Sequence, residues 1–227
     1  RGVMDKIREH ILNTAQAELD KEERELAKVQ AEAAKRKLYP LIIGGRSIKT
    51  RETFKSVNPA KPKQVLGVFA KAGRKEAKLA VDAAEKAFPV WSRQPAEMRS
   101  EILLRAAALM RERKHEFSAT MVLEEGKNWV EADADTAEAI DFMEYYAREA
   151  LYWDMGMEVA DYPYEKNETF YLPLGPISVI PPWNFPNAIL TGMTVAALVT
   201  GNTVCLKPAS DAPLVGYKVA KLLYEAG

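Results

Sequence analysis

The C-terminal segment, residues 174–227, alternates short apolar runs with apolar helical patterns, and this alternation constrains the fold more than any other feature. Residues 177–180 and 203–206 are predicted to be strands, and residues 187–199 and 213–225 are predicted to be helices. Strands that are apolar on both faces and are separated by helices form βαβ units with parallel strands. The sequence therefore predicts an α/β fold with a parallel, Rossmann-like sheet.

The central part of the chain, residues 40–156, is predicted to be mainly helical. Apolar residues three and four positions apart predict helices over residues 74–88, over a stretch from Pro95 to beyond Met110, and over residues 115–125 and 129–152. Short alternating runs beside glycine and Asn-Pro turns predict strands at residues 41–43, 46–48, 54–57 and 65–70. We expect these elements to belong to the same domain as the parallel sheet.

Two segments stand apart from this domain. Residues 1–39 are predicted to be a charged helical extension, because an apolar stripe from Ile7 to Ala33 runs along one long helix without sustained heptads. Residues 157–173 are predicted to contain a two-stranded hairpin with a turn at residues 165–168. A two-stranded hairpin is only marginally stable alone, so we expect it to pack on a partner subunit or domain.

The overall composition argues against several classes of function. Lys and Arg together number 32, as do Asp and Glu, so the chain lacks the basic surplus typical of nucleic-acid binders. The longest apolar run, residues 188–199, is too short and too polar for a membrane span. Cys205 has no second cysteine to pair with, which favours a reducing, cytoplasmic compartment. Because the chain starts at Arg1 and stops where a helix ends on Gly227, we expect it to be part of a longer polypeptide.

The first candidate for chemistry is the loop Ile180-Pro181-Pro182-Trp183-Asn184-Phe185-Pro186, which follows the first predicted parallel strand. Ligands of doubly wound sheets bind at the carboxyl ends of the strands. Prolines on both sides of Asn184 stiffen the loop, so its amide could donate a hydrogen bond to negative charge developing on an oxygen atom. The alternative is that Asn184 caps the next helix. The residues alone leave both interpretations open.

The second candidate is Lys207-Pro208-Ala209-Ser210, which follows the second predicted strand. Lys207 could bind ribose hydroxyls or a phosphate, or it could simply extend from the strand end into solvent. Cys205 lies inside an apolar strand and is predicted to be an inert core thiol. His10 and His115 are isolated, so we expect neither a metal site nor a Ser/His/Asp arrangement, and no G-x-G-x-x-G fingerprint is present.

Several motifs together resemble the aldehyde dehydrogenase superfamily over residues 40–227. They are Gly175-Pro176-Ile177, Pro182-Trp183-Asn184-Phe185-Pro186, Gly201-Asn202-Thr203-Val204, Lys207-Pro208-Ala209 and, further back, Ala87-Phe88-Pro89-Val90-Trp91 and Glu125-Gly126-Lys127. Within the superfamily, residues 125–132, 139–142, 145–147 and 188–193 are similar to the 1-pyrroline-5-carboxylate dehydrogenases. Those enzymes oxidise L-glutamate γ-semialdehyde to glutamate in proline breakdown, and some are fused to proline dehydrogenase.

The resemblance implies roles for individual residues. In the family a cysteine thiolate attacks the aldehyde, and Asn184 matches the asparagine that stabilises the resulting oxyanion. Ile180, Pro181, Pro182, Trp183, Lys207, Ala209 and Ser210 match positions that contact NAD. Ser210 stands where many NAD-using members have Glu, so use of NADP is also implied. The nucleophilic cysteine and the water-activating glutamate are expected after residue 227, so the chain alone is expected to be inactive.

The resemblance also implies a partner and leaves rivals open. Residues 157–173 resemble the family's oligomerisation arm, which implies a homo-oligomer. A small aldehyde is the implied substrate. The alternatives are another semialdehyde dehydrogenase, such as one acting on succinate semialdehyde, and a non-catalytic relative with a structural role.

Overall fold

A computed structural model describes residues 2–227 of the chain. In order, the elements are α1 (Gly2–Ala34), β1 (Leu38–Tyr39), β2 (Leu41–Ile43), β3 (Arg46–Ile48), β4 (Thr53–Asn58), β5 (Lys61–Ala70), α2 (Arg74–Trp91), α3 (Ala96–Glu112), α4 (Lys114–Glu124), α5 (Trp129–Asp154), β6 (Pro176–Val179), α6 (Ala188–Val199), β7 (Thr203–Leu206) and α7 (Pro213–Ala226). All predicted helices of the central part are present, and so are the four strands predicted there. Within residues 2–227, each helix is too short or too polar to cross a bilayer.

The main hydrophobic core lies between α3, α5, α6 and α7. Its fully buried members recur at helical spacing, so that each helix turns one apolar face inward. The largest of them are Phe117 and Met121, which α4 contributes, and Leu103, Met110, Met143, Leu190 and Leu222. Burial of one such side chain contributes roughly 1.5–3 kcal/mol. This core fixes the two helices that follow the parallel strands onto the helices of the central part.

A second core joins the N-terminal helix to the three-stranded sheet, whose strand order is β1-β5-β4. Val29 and Ala33 on α1 are buried there with Leu66 and Phe69 on β5. The first half of α1 does not share in this contact, because Ile7 and its apolar neighbours remain exposed. The predicted apolar stripe therefore packs on the domain only at its C-terminal end.

Strands β6 and β7 pair in parallel, as the alternating pattern predicted. Ile177 lies opposite Val204, and α2 and α6 pack against the pair. Gly201, with φ of 86°, turns the chain from α6 into β7, a backbone conformation that favours glycine. The Oδ1 atom of the next residue, Asn202, accepts hydrogen bonds from the N–H groups of Leu174 and Gly175 at 2.7 and 3.0 Å. The turn thus fixes the start of β6.

The segment predicted as a two-stranded hairpin contains one antiparallel bridge, between Met157 and Thr169, instead of two strands. The chain reverses at residues 162–165, where Tyr164 has φ of 70°, and not at the predicted residues 165–168. Most of its side chains are exposed, including Phe170. A ribbon that buries so little apolar surface has little to stabilise a continuous ladder.

Candidate functional site

Two loops lie side by side at the carboxyl edge of the parallel strands. We call residues 180–187, which follow β6, the first loop, and residues 207–212, which follow β7, the second loop. The N–H of Lys207 donates to the carbonyl of Val179 at 2.9 Å, so the loops start next to each other. This is the edge at which ligands bind in doubly wound sheets. The structure therefore brings the predicted site residues to one edge.

The first loop presents Asn184 at the surface. Pro181 and Pro186 are buried and attach the loop to the body, whereas Ile180, Pro182, Trp183 and Asn184 are exposed. Among residues 2–227, the Asn184 side chain has no hydrogen-bond partner within the chain. It does not cap α6, which begins at Ala188 and receives its acceptor from a different residue. The amide is free to bind a ligand, which the helix-cap alternative did not allow.

The acceptor at the start of α6 is the carboxylate of Asp135, on α5. The N–H of Ala188 donates to Asp135 Oδ1 at 2.6 Å, and Lys127 Nζ donates to Oδ2 at 2.7 Å. Asp135 is 1% exposed, and burial raises the pKa of its carboxyl group while the Lys127 hydrogen bond opposes that rise. A buried charge needs such a partner, because an unpaired one is strongly destabilising.

Lys127 has a second contact in the first loop. Its Nζ atom lies 4.3 Å from the centroid of the Phe185 ring, which is a cation–π distance. On the other side of the loop end, Asn187 is fully buried and its Nδ2 atom donates to Thr136 Oγ1 at 3.5 Å. The residues on both sides of Pro186 are therefore attached to Lys127 and α5.

The second loop carries three of the predicted cofactor residues. Lys207 and Ser210 are exposed, and Ala209 is half-buried. In the part of the chain that the structure describes, neither the ammonium of Lys207 nor the hydroxyl of Ser210 has a side-chain hydrogen bond. Pro208 lies so close to Gly216 on α7 that a Cβ at position 216 would come within 2.7 Å of the proline ring. This contact sets the distance between the second loop and α7.

The start of α7 is anchored by a second buried carboxylate, that of Glu124 at the end of α4. It accepts hydrogen bonds from the N–H groups of Leu214 and Val215 at 2.9 Å and from the hydroxyl of Ser56 at 2.6 Å. Burial raises the pKa of Glu124 to about 7. Asp211, which directly precedes the N-cap residue Ala212, is exposed and accepts none of these bonds.

Next to Glu124, the Glu125 side chain is half-buried and its Oε1 atom has no hydrogen-bond partner among residues 2–227. Burial and the neighbouring charge of Glu124 raise the pKa of Glu125 to about 8. Gly126 follows with φ of 72° and ends α4. This turn leads directly to Lys127.

Sequence reasoning missed the roles of Glu124, Lys127 and Asp135. A signal was present for Asp135, which falls on the same face of α5 as the buried residues Ala132 and Ala139. A carboxylate on an apolar helix face indicates a buried partner. Glu124 shows the same signal, because it lies three residues after Met121 and seven after Phe117, on the buried face of α4.

Cys205 is less buried than predicted. Its side chain is half-buried on β7 and not in the core. Burial still raises the pKa of the thiol, so the protonated, poorly nucleophilic form is favoured.

One groove of the described chain lies away from both loops. It has a volume of about 570 Å³ between α1 and the α4–α7 side of the body, and charged side chains such as Lys21, Glu32 and Glu116 line most of it. The loops themselves form an exposed edge and not a closed cavity. We place the candidate site at the loops because Asn184, Lys207 and Ser210, which have no side-chain hydrogen bond within residues 2–227, follow the two parallel strands, whereas the ammonium of Lys21 in the groove is already paired with Glu18.

Comparison with known proteins decides the family. The sequence profile of the aldehyde dehydrogenase family matches residues 47–227. The chain belongs to the aldehyde dehydrogenase family. This confirms the resemblance and the fold class predicted from the motifs.

Individual aldehyde dehydrogenases are highly similar. A 1-pyrroline-5-carboxylate dehydrogenase of Geobacillus thermodenitrificans is 57% identical over 202 residues, which are 89% of this chain and 39% of that protein. The structure of a Thermus 1-pyrroline-5-carboxylate dehydrogenase with bound NAD is 53% identical, with a TM-score of 0.85 over 90% of this chain and 40% of that one. Proline utilization A from Bdellovibrio bacteriovorus is 36% identical, with a TM-score of 0.90 over 93% of this chain and 22% of that one.

The chain spans about 39% of the length of the curated dehydrogenase that it matches. The closeness to proteins named 1-pyrroline-5-carboxylate dehydrogenase agrees with the narrower resemblance drawn from the sequence. The roles of Asn184, Lys207 and Ser210 and the boundaries of the predicted parts stay predictions.

Proposed function

We propose that these residues form the N-terminal part of a longer NAD(P)-dependent aldehyde dehydrogenase, which we call the complete dehydrogenase. Its proposed reaction is the oxidation of L-glutamate γ-semialdehyde to L-glutamate in proline degradation, in the cytoplasm. The observation that carries the proposal is the free amide of Asn184, exposed on a proline-braced loop at the ligand edge of the sheet. The 57% identity to a 1-pyrroline-5-carboxylate dehydrogenase supports the choice of substrate.

Asn184 would donate its side-chain N–H to the oxygen of the aldehyde as negative charge develops there. Such a donor accelerates a reaction when it is already oriented before the charge appears. The prolines on either side and the anchoring of Phe185 and Asn187 restrict its movement. The nucleophile and the group that activates water would come from the rest of the complete dehydrogenase.

NAD or NADP, when bound, would accept a hydride from the substrate. The free polar groups of the edge fit such a dinucleotide. The Lys207 ammonium and the Ser210 hydroxyl have no partner within residues 2–227 and can bind ribose hydroxyls, and the small Ala209 leaves space beside them. The backbone of Ile180, Pro181, Pro182 and Trp183 would line the cofactor's other side. A serine at position 210 does not repel a 2′-phosphate, so both cofactors are proposed.

Residues 157–173 would join subunits into a homo-oligomer. The segment exposes large apolar side chains, among them Phe170, Tyr171 and Leu172, which would be covered in an assembly. The double substitution of Phe170 and Leu172, each to Asp, should shift the complete dehydrogenase to smaller species in sedimentation velocity. An unchanged sedimentation coefficient would contradict this role.

The test of the substrate is a comparison of kcat/KM for L-glutamate γ-semialdehyde and succinate semialdehyde with the complete dehydrogenase. We expect a preference for the first, and a preference for the second would favour the rival enzyme. A chain with no aldehyde oxidation at all would favour a structural relative. The 36% identity to proline utilization A leaves a fusion to proline dehydrogenase within the proposal, and proline oxidation by the same polypeptide would test it.

The test of the site is Asn184→Ala. We expect kcat to fall by about 10²–10³-fold, because one oriented donor to the developing oxyanion is lost. The Kd for NAD, measured by calorimetry, should stay within about twofold, since the amide would contact the reacting oxygen and not the cofactor. A variant with parental turnover would contradict the proposed role of Asn184.

A further inference from the structure

One ion pair, between Lys127 in the turn before α5 and Asp135 on α5, contacts the chain at two points around the end of the first loop. Lys127 Nζ contacts the Phe185 ring at 4.3 Å and donates to Asp135 Oδ2 at 2.7 Å, while Asp135 Oδ1 accepts the Ala188 N–H at 2.6 Å. Phe185 is the residue after Asn184, and Ala188 is the first residue of α6. The ion pair therefore contacts the loop on both sides of Pro186.

From this geometry we infer that Lys127 and Asp135 are positioning residues for Asn184. The inference rests on the function proposed above. Both side chains are withdrawn from the surface at which a substrate would bind, because the Asp135 side chain is 0% exposed and the Lys127 side chain is 11% exposed. Their effect on the reaction passes through the loop. The ion pair holds the Phe185 ring and the start of α6, and Asn184 directly precedes Phe185.

The charge of Lys127 is required for both contacts. Without it, Asp135 keeps a buried carboxylate with one hydrogen-bond donor from the backbone, and it must change its protonation or draw in water. The Phe185 ring also loses the cation above its face. The loop then gains freedom at both of its attached points, and a misplacement of about 1 Å in a reacting group can cost about 10²-fold in rate.

The chain offers a matched control for this ion pair. Lys218 donates to Glu116 at 2.6 Å, and its side chain is 13% exposed, close to the 11% of Lys127. That pair joins α7 to α4 and does not contact the first loop. Loss of a similarly buried lysine can thus be compared with loss of Lys127, although Glu116 is 36% exposed to solvent and Asp135 is 0% exposed.

The experiment is a double-mutant cycle in the complete dehydrogenase between Lys127→Met and Asn184→Ala. We expect Lys127→Met alone to lower kcat by about tenfold to 10²-fold, with the Kd for NAD within about twofold. In the Asn184→Ala background the same change should lower kcat by less than about threefold, because the group being positioned is already absent. Lys218→Met should leave kcat within about threefold of the parent.

Two further variants test rescue and guard against loss of the fold. Lys127→Arg keeps the cation for both contacts and should return kcat to within about fivefold of the parent. The double substitution Lys127→Met with Asp135→Asn removes both charges of the ion pair, so it serves in the same cycle should Lys127→Met alone not fold. It should also be non-additive with Asn184→Ala.

A readout without turnover is hydrogen exchange in the cofactor-free complete dehydrogenase. The Ala188 N–H should exchange about tenfold faster in Lys127→Met than in Lys218→Met, because exchange follows local opening of its hydrogen bond. Equal exchange in the two variants, or additive losses of kcat in the cycle, would overturn the positioning role alone. An Asn184→Ala enzyme with parental turnover would instead overturn the proposed function, and this inference with it.

Discussion

The first and second loops each lead into a helix, and the first N–H groups of that helix donate to a buried carboxylate on an earlier helix. The two carboxylates differ in their other partners. Asp135, at the first loop, is paired with the ammonium of Lys127. Glu124, at the second loop, accepts only from N–H groups and a hydroxyl. The N–H groups at the start of α6 donate to a carboxylate that belongs to an ion pair, whereas those at the start of α7 donate to a carboxylate whose other hydrogen bond comes from a hydroxyl.

The two carboxylates therefore differ in the changes of charge that they tolerate. An ion pair confers orientation at the risk of an uncompensated buried charge if one partner is lost. A carboxylate bonded to uncharged donors tolerates protonation, because its carbonyl oxygen still accepts. The first loop, with the amide proposed to act in catalysis, has the more demanding anchor, and the second loop, proposed to bind cofactor, has the more tolerant one.

Amide substitution should separate the two anchors most strongly. Asp135→Asn places an N–H₂ group against the Lys127 ammonium and should lower the free energy of unfolding of the chain by about 3–5 kcal/mol. Glu124→Gln keeps an acceptor oxygen for Leu214 and Val215 and should cost only about 1 kcal/mol. Urea unfolding followed by circular dichroism measures both. Equal losses would show that the ion pair makes no difference between the anchors.

The pH dependence of stability should report the second anchor. Because folding raises the pKa of Glu124 from 4.5 to about 7, the folded chain binds more protons than the unfolded chain between these values. The free energy of unfolding should therefore fall as pH rises from about 4.5 to 7, by about 3 kcal/mol from this group. The raised pKa of Glu125, about 8, has the same sign and extends the fall upward.

Two variants check the source of this pH dependence in urea unfolding at a series of pH values. Glu124→Gln should flatten the profile between pH 4.5 and 7. Glu225→Gln is the control, because Arg113 lowers the pKa of that exposed glutamate and its effect lies below this window. A profile that Glu124→Gln leaves unchanged would contradict the assignment.

The smallest expected effect concerns the cofactor preference assigned to the second loop. In the complete dehydrogenase, Ser210→Glu should lower kcat/KM with NADP relative to NAD by about tenfold, since a carboxylate there repels a 2′-phosphate. Ser210→Gln, similar in size but uncharged, should change the ratio much less. Steady-state assays with both cofactors measure it, and an unaltered ratio in Ser210→Glu would remove the second loop from cofactor selection.

Local patterns in the sequence predicted most of the fold. Helical spacing of apolar residues located α2 to α7, and continuous apolar runs located β6 and β7 and their parallel pairing. The prediction failed at residues 157–172, where alternation suggested two strands and the structure has one bridge. Alternation of apolar and polar residues indicates only which side chains could share one face of a strand. A continuous set of hydrogen bonds between two strands also requires that this face be buried.

Patterns along the chain predicted the kinds and order of most elements, the resemblance to the family, and the placement of Asn184 and Lys207 at one edge of the sheet. The groups that anchor the two loops are visible only once the helices are packed together. Asp135 and Glu124 accept from N–H groups 53 and 90 residues away along the chain. Contacts at such separations depend on how whole helices pack, and no local pattern records which buried donor a carboxylate will meet.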